Sequence, residues 1–241
     1  MDEEIIEKLL KISTDFQGLS EKARNDVKGT FIAKETDGLA AVRLTLDGQI
    51  SRLFLRFLDK IDNTNEKISY QLYLSASFIR TYFIINDLIL SGDIIEAITL
   101  IRKQIENLTR LIEINEKPLT KLLKKTPNVC NVLDKMGKSI YPELSEIAHF
   151  GTPRVGELIK MDKAGEGKSG PSVLPAFSSK LFDVYKEHAF ISITFVFWII
   201  EFLKSIYQEK YDCTSDELLM EHIFTLALDL GIIIETKTEQ K

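Results

Sequence analysis

Cysteine is scarce in this 241-residue chain: Cys130 and Cys213 stand far apart, with no CxxC and no Cys/His cluster. That shortage argues against a disulfide framework and a structural zinc, and makes a reducing, cytoplasmic setting the expectation. No metal-ligand spacing, nucleophile elbow or dinucleotide fingerprint occurs, so neither metal nor cofactor is expected. Gly165-Glu-Gly-Lys-Ser169 looks like the end of a phosphate-binding loop, but position 162 is Asp where that loop needs glycine, and Gly170-Pro171 follows where it needs a helix. There is no excess of positive charge, the net value being −5, which argues against general nucleic-acid affinity. The start, Met-Asp-Glu-Glu, is acidic where a secretory leader is basic. The most apolar run, Ala189 to Leu203, would span about 22 Å as a helix, short of a hydrocarbon core of about 30 Å. It reads as a buried central helix, and no membrane partner is expected.

With 44% hydrophobic residues, the chain is able to bury a core without staples. Nearly every segment carries helical periodicity, which predicts an all-α multi-helix bundle around a central apolar helix at 180–208. The surrounding helices are expected at 38–62, 65–90, 94–116 and 214–230. Asp93 is the expected N-cap of the third of these, Thr214-Ser-Asp-Glu217 the capping box of the last, and Gly231 its C-cap. Shorter helices are expected at Leu119–Lys125 and Asn128–Met136, and from Tyr141-Pro142 to about Phe150. Residues 151–178 hold five glycines and three prolines and form the one long Gly/Pro-rich loop, with a short hairpin strand expected at Val155–Met161. The domain reading is an N-terminal helical segment at 1–35, charge-rich and loosely packed, a bundle at 36–235 and a polar tail at 236–241.

The polar residues of chemical interest sit on the helix 94–116. Stepping about 100° per residue from Arg102, Glu106 falls about 40° away, Thr109 at about −20° and Glu113 at about 20°. Ile98, Ile105 and Ile112 form the adjoining apolar face, and Lys103, Asn107 and Arg110 the expected water face. His149 ends a later helix beside a Gly-Thr-Pro turn, where the helix dipole favours a protonated imidazole, and Arg154 follows. From Lys117 to Lys168 there are ten Lys/Arg against six Asp/Glu, a local +4 that leaves −9 for the remainder. An anionic partner near His149 is therefore one reading, and a solvated lysine-rich surface the other. His188 shares a face with Ser192 and reads as a satisfied core histidine. His222 reads as surface, and Glu201, if buried, needs a partner such as Arg102.

The pattern Gly92-x3-Glu96-Ala97-x4-Arg102-x3-Glu106, followed by Leu144-Ser145-x3-His149, resembles a widespread group of uncharacterised bacterial helical proteins catalogued as domains of unknown function. More loosely the chain is similar to HEPN domains, helical bundles that are often dimeric and often metal-independent ribonucleases of toxin and antiviral systems. The HEPN hallmark is an Arg and a His separated by four to six residues in one helix. Here no arginine precedes His149, where Glu143, Leu144 and Ser145 stand, and Arg102 is the candidate substitute from a neighbouring helix.

Two functional expectations follow. In the first, Arg102, Glu106 and His149 share a pocket for an anionic ligand such as RNA, with Arg154 and Thr109 as further ligand-binding residues. His149 would be the general acid/base, Arg102 would stabilise phosphorane-like charge and Glu106 would orient one of them. In the second, the same polar residues only lock helix packing in a non-catalytic interaction or scaffold protein. Either version is expected to form a homodimer or to bind a protein partner. In both, Arg102 and Glu106 should face the helix that carries His149.

Overall fold

The computed structural model describes residues 3–57, 65–133, 135–164 and 167–234. It is an all-α bundle with one small hairpin. The long helices are α1 (Glu3–Lys34), α2 (Asp37–Phe57), α3 (Glu66–Ser91), α4 (Ile94–Glu116), α7 (Lys135–Ala148), α9 (Lys180–Tyr207) and α10 (Thr214–Asp229). Single-turn helices α5 (Leu119–Leu122), α6 (Val129–Val132) and α8 (Val155–Leu158) lie in the connections. The expected end of α2 at 62 and the tail 236–241 lie outside the described residues.

α9 is the core helix and packs against α2, α3, α4 and α10. Its apolarity runs nearly all round, so it buries residues on several faces, among them Leu181, Tyr185, Ile193, Phe195 and Leu203. Phe195 stacks on Phe78 of α3 at 3.9 Å between centroids, and Trp198 stacks on Phe202 at 5.0 Å. By length and composition the segment Lys180–Lys210 could cross a membrane, but half of its most apolar window is buried inside the bundle. Its buried sides are those its neighbours cover, as a core helix requires.

Gly92 turns the chain between α3 and α4. It sits at φ 82°, and its N–H and that of Asp93 close onto Ile89 O and Leu88 O. A Cβ there would lie 3.0 Å from Val27 Cγ1 and 3.2 Å from Ala176 O, so both conformation and space require glycine. Asp93 stands at the N-cap position, but its carboxylate does not cap α4. It accepts instead from Arg24 Nε and Nη2 at 2.9 and 3.3 Å, tying α1 to the turn. Gly231 ends α10 at φ 65°, with Ile232 N–H on Ala227 O, as the sequence predicts.

Four local expectations are corrected. Pro142 lies inside α7 rather than at its start; proline costs one backbone bond there, and a seven-residue run before it already forms helix. Val155–Leu158 is a helical turn, and the hairpin strands are β1 (Met161–Ala164) and β2 (Lys168–Pro171), antiparallel. The 214–217 capping box does not form. Cys213 takes the N-cap position without a side-chain capping bond, and Asp212 Oδ1 accepts from Thr214 N–H at 3.1 Å. Asp216 turns inward, fully buried, accepting from Gln49, Arg56 and the Tyr211 hydroxyl, and so pins α10 to α2. Finally, Asn107 and Arg110 do not face water. Asn107 Nδ2 donates to Leu74 O of α3, and Arg110 is buried under the α5–α6 connection. α4 is enclosed by α3, α7 and α9, and its exposed strip narrows to Glu96, Thr99 and Lys103 over its first three turns.

Candidate functional site: the polar contact between α4 and α7

The pairing of α4 with α7 follows from their apolar faces. Ile98, Ile101 and Ile105 on α4 and Leu144 and Ile147 on α7 are all buried in one core. Arg102 and Glu106 leave α4 one turn apart beside that face, and therefore meet α7 at its edge. The Arg102 guanidinium makes three contacts there. Nε donates to Ser145 Oγ at 2.9 Å, Nη2 donates to the Tyr141 hydroxyl at 3.2 Å, and Nη2 lies 2.9 Å from Glu106 Oε1. The Tyr141 hydroxyl donates in turn to the same Glu106 oxygen at 2.6 Å. The guanidinium carbon also sits 5.4 Å from the Tyr141 ring centroid, a cation–π contact. Burial, and then donation to Glu106, hold the Tyr141 phenol above its ordinary range. The side chains of Arg102 and Glu106 are 23% and 25% exposed, so the quartet is half-dry rather than sealed.

Other predicted site residues stand apart from this quartet. His149 follows the last residue of α7, and its backbone N–H still donates to Ser145 O at 3.1 Å. It therefore continues the Tyr141–Ser145 stripe by one turn, but its imidazole is exposed and makes no hydrogen bond or ion pair with Arg102 or Glu106 among the described residues. Thr109 is fully buried and its hydroxyl donates to Ile105 O of its own helix at 2.7 Å. Arg154 is exposed and pairs with Glu143 at 2.6 Å. Glu113 belongs to a separate buried pair with Arg110. Glu201 is exposed and pairs with Lys204 at 2.7 Å, not with Arg102.

On the other side of α7 lies a cavity of about 200 Å³, lined by Glu143, Arg154 and Leu158 and, from α9, by Lys180, Asp183 and Glu187. Burial, then the charges of Glu143 and Asp183, push the Glu187 carboxyl up to about 7. Sequence reasoning passed over Glu187 and Tyr141. Lys180, Asp183 and Glu187 do recur at helical spacing along the first turns of α9, and Tyr141, Ser145 and His149 recur every fourth residue. Those two stripes were the available signals.

Among the described residues no group of three or more His, Cys, Asp or Glu is placed to hold a metal ion. Chemically, the α4–α7 contact offers a guanidinium whose Nε and Nη2 are engaged, a carboxylate that accepts twice on one oxygen, and a phenol held protonated. No family model, curated protein or solved structure matches the chain.

Proposed function

We propose that this protein is a non-catalytic helical interaction module, in which the Arg102–Glu106–Tyr141–Ser145 quartet locks α4 to α7. The carrying observation is the engagement of Arg102: the two nitrogens that contact protein are spent on Ser145, Tyr141 and Glu106. A phosphoryl-stabilising arginine must present its fork to the ligand, and an acid/base histidine must reach the same atoms. Only Nη1 of Arg102 is uncommitted among the described residues, and Arg154, the other arginine of the expected site, is paired with Glu143. The half-dry setting favours a packing role as well, because hydrogen bonds to a charged group are worth more there than in open water.

The ribonuclease reading makes an opposite demand, and the two separate in one experiment. Labelled single-stranded RNA is incubated with the wild type and with His149→Ala. The interaction module leaves the RNA intact in both cases, and the two proteins melt within about 1 °C of each other, since an exposed, unbonded side chain contributes little. RNA cleavage by the wild type that disappears in His149→Ala with melting unchanged would overturn the proposal.

A further inference from the structure

The N-terminal half of α1 lies outside the bundle. Every side chain from Glu3 to Leu19 is exposed, and contact with the core begins near Ala23, Arg24 and Val27. Five large apolar residues, Ile5, Leu9, Ile12, Phe16 and Leu19, are 48% to 60% exposed on this stretch. Their spacing is 4-3-4-3, the alternation of a and d positions in a heptad repeat. A helix of about seventeen residues with such a stripe is marginal alone in water and gains most of its stability from packing.

We propose that this seam pairs with the same seam of a second copy of the chain, as an antiparallel two-stranded coiled coil. The proposal rests on the interaction-module reading and names the partner. With Ile5, Ile12 and Leu19 at d and Leu9 and Phe16 at a, the flanking g positions are Lys8 and Asp15. Antiparallel pairing sets a against d, so Leu9 meets the partner's Ile12 and Phe16 meets the partner's Ile5. In that register g faces g, and Lys8 lies beside the partner's Asp15, twice by symmetry. Parallel pairing would set g against e, where Lys8 and Asp15 meet Ser13 and Ser20 and no opposite charges pair. Charge complementarity therefore selects the antiparallel form.

In this register Ile5 to Phe16 of one chain lie alongside Phe16 to Ile5 of the partner, and the two bodies sit at opposite ends of the pair. The exposed apolar surface is on the order of 500–600 Å² per chain, below the roughly 800 Å² per partner of a standard interface, so a reversible dimer is expected. Leu10 falls outside the seam and stays exposed in the pair.

The test is sedimentation of the full chain over a concentration series. The wild type is expected to dimerise with Kd on the order of micromolar, and Leu9→Asp to weaken dimerisation at least about a hundredfold. Because these positions are exposed and lie outside the core cluster, melting at low concentration serves as the folding control. Lys8→Asp and Asp15→Lys should each weaken the dimer several-fold, and the double reversal should restore it. A chain that stays monomeric at about 100 µM, including one that instead binds anionic lipid vesicles, would overturn the proposal. So would a dimer indifferent to Leu9→Asp, or charge reversals with no rescue. None of these results bears on the α4–α7 quartet, which is tested separately by RNA cleavage and by unfolding.

Discussion

Arg110→Ala is expected to lower the unfolding free energy by about 3–5 kcal/mol, the loss typical of breaking one side of a buried ion pair. The Arg110 side chain is 8% exposed and that of Glu113 4%. Nη1 of Arg110 lies 3.2 Å from Glu113 Oε2 and donates to Leu122 O at 3.0 Å, while Nη2 donates to Lys125 O. Among the described residues Glu113 Oε2 has no hydrogen bond apart from this ionic contact, and Glu113 Oε1 accepts from Asn128 N–H at 3.2 Å. Alanine would leave a buried carboxylate facing only Lys117, half-exposed and 3.9 Å away, and would orphan two carbonyls. The connection 117–128 should then exchange its amide hydrogens faster, since Arg110 is what holds Leu122 and Lys125 down. Arg110→Lys should recover only part of the loss, because an ammonium cannot serve both carbonyls and the carboxylate in one plane. An alanine variant within about 0.5 kcal/mol of wild type would show that the pair contributes nothing net.

The second large effect is on pH. His188 is fully buried, its ring 4.9 Å from that of Tyr82, and among the described residues neither ring nitrogen has a hydrogen-bond partner. Burial pushes its pKa down to about 3. A folded pKa below the unfolded one means that the unfolded chain takes the proton first. The contribution of neutral His188 is complete above about pH 6.5 and is lost as pH falls, by roughly 3 kcal/mol at pH 4. Glu187, the preceding residue, acts with the opposite sign. Its pKa is raised to about 7, so the folded chain takes the proton first, and acidification from pH 7 to about 4.5 relieves its buried charge. In the wild type the two slopes offset each other in that window. Glu187→Gln should raise stability at pH 8 by about 1–3 kcal/mol and uncover the histidine slope below pH 6.5. The comparison of Glu187→Gln with Glu187→Gln/His188→Phe isolates it, since all other titrations are common to both. Parallel stability curves for those two proteins would show that His188 titrates alike in the folded and unfolded chains.

Legibility in the sequence followed the apolar pattern. The run Ala189–Leu203 announced the core helix, and the Ile98/Ile105/Ile112 face announced that Arg102 and Glu106 would meet a neighbouring helix. Polar residues were legible only as far as polarity means exposure. Arg110 and Asn107 fell on the expected water face, yet α3 and the α5–α6 connection cover them, and that cover comes from segments distant in the chain. Asp216 looked like part of a capping box because its partners Gln49 and Arg56 lie some 160 residues away. His188 was expected to be satisfied, and among the described residues the aromatic rings around it instead leave both nitrogens unbonded. Pro142 was read as a helix start because local rules treat an interior proline as a breaker, and here the helix packing against α4 outweighs one lost bond.

The central claim, that the α4–α7 quartet is a packing lock, is tested most directly by denaturant unfolding of Arg102→Ala. The guanidinium holds two hydrogen bonds and an ion pair in a half-dry site, so the variant should lose about 2 kcal/mol, with the slope against denaturant unchanged. Glu106→Ala added to it should cost little more, because the pair acts as one unit. An Arg102→Ala protein as stable as wild type would contradict the claim and return Arg102 to the role of a residue kept for a ligand.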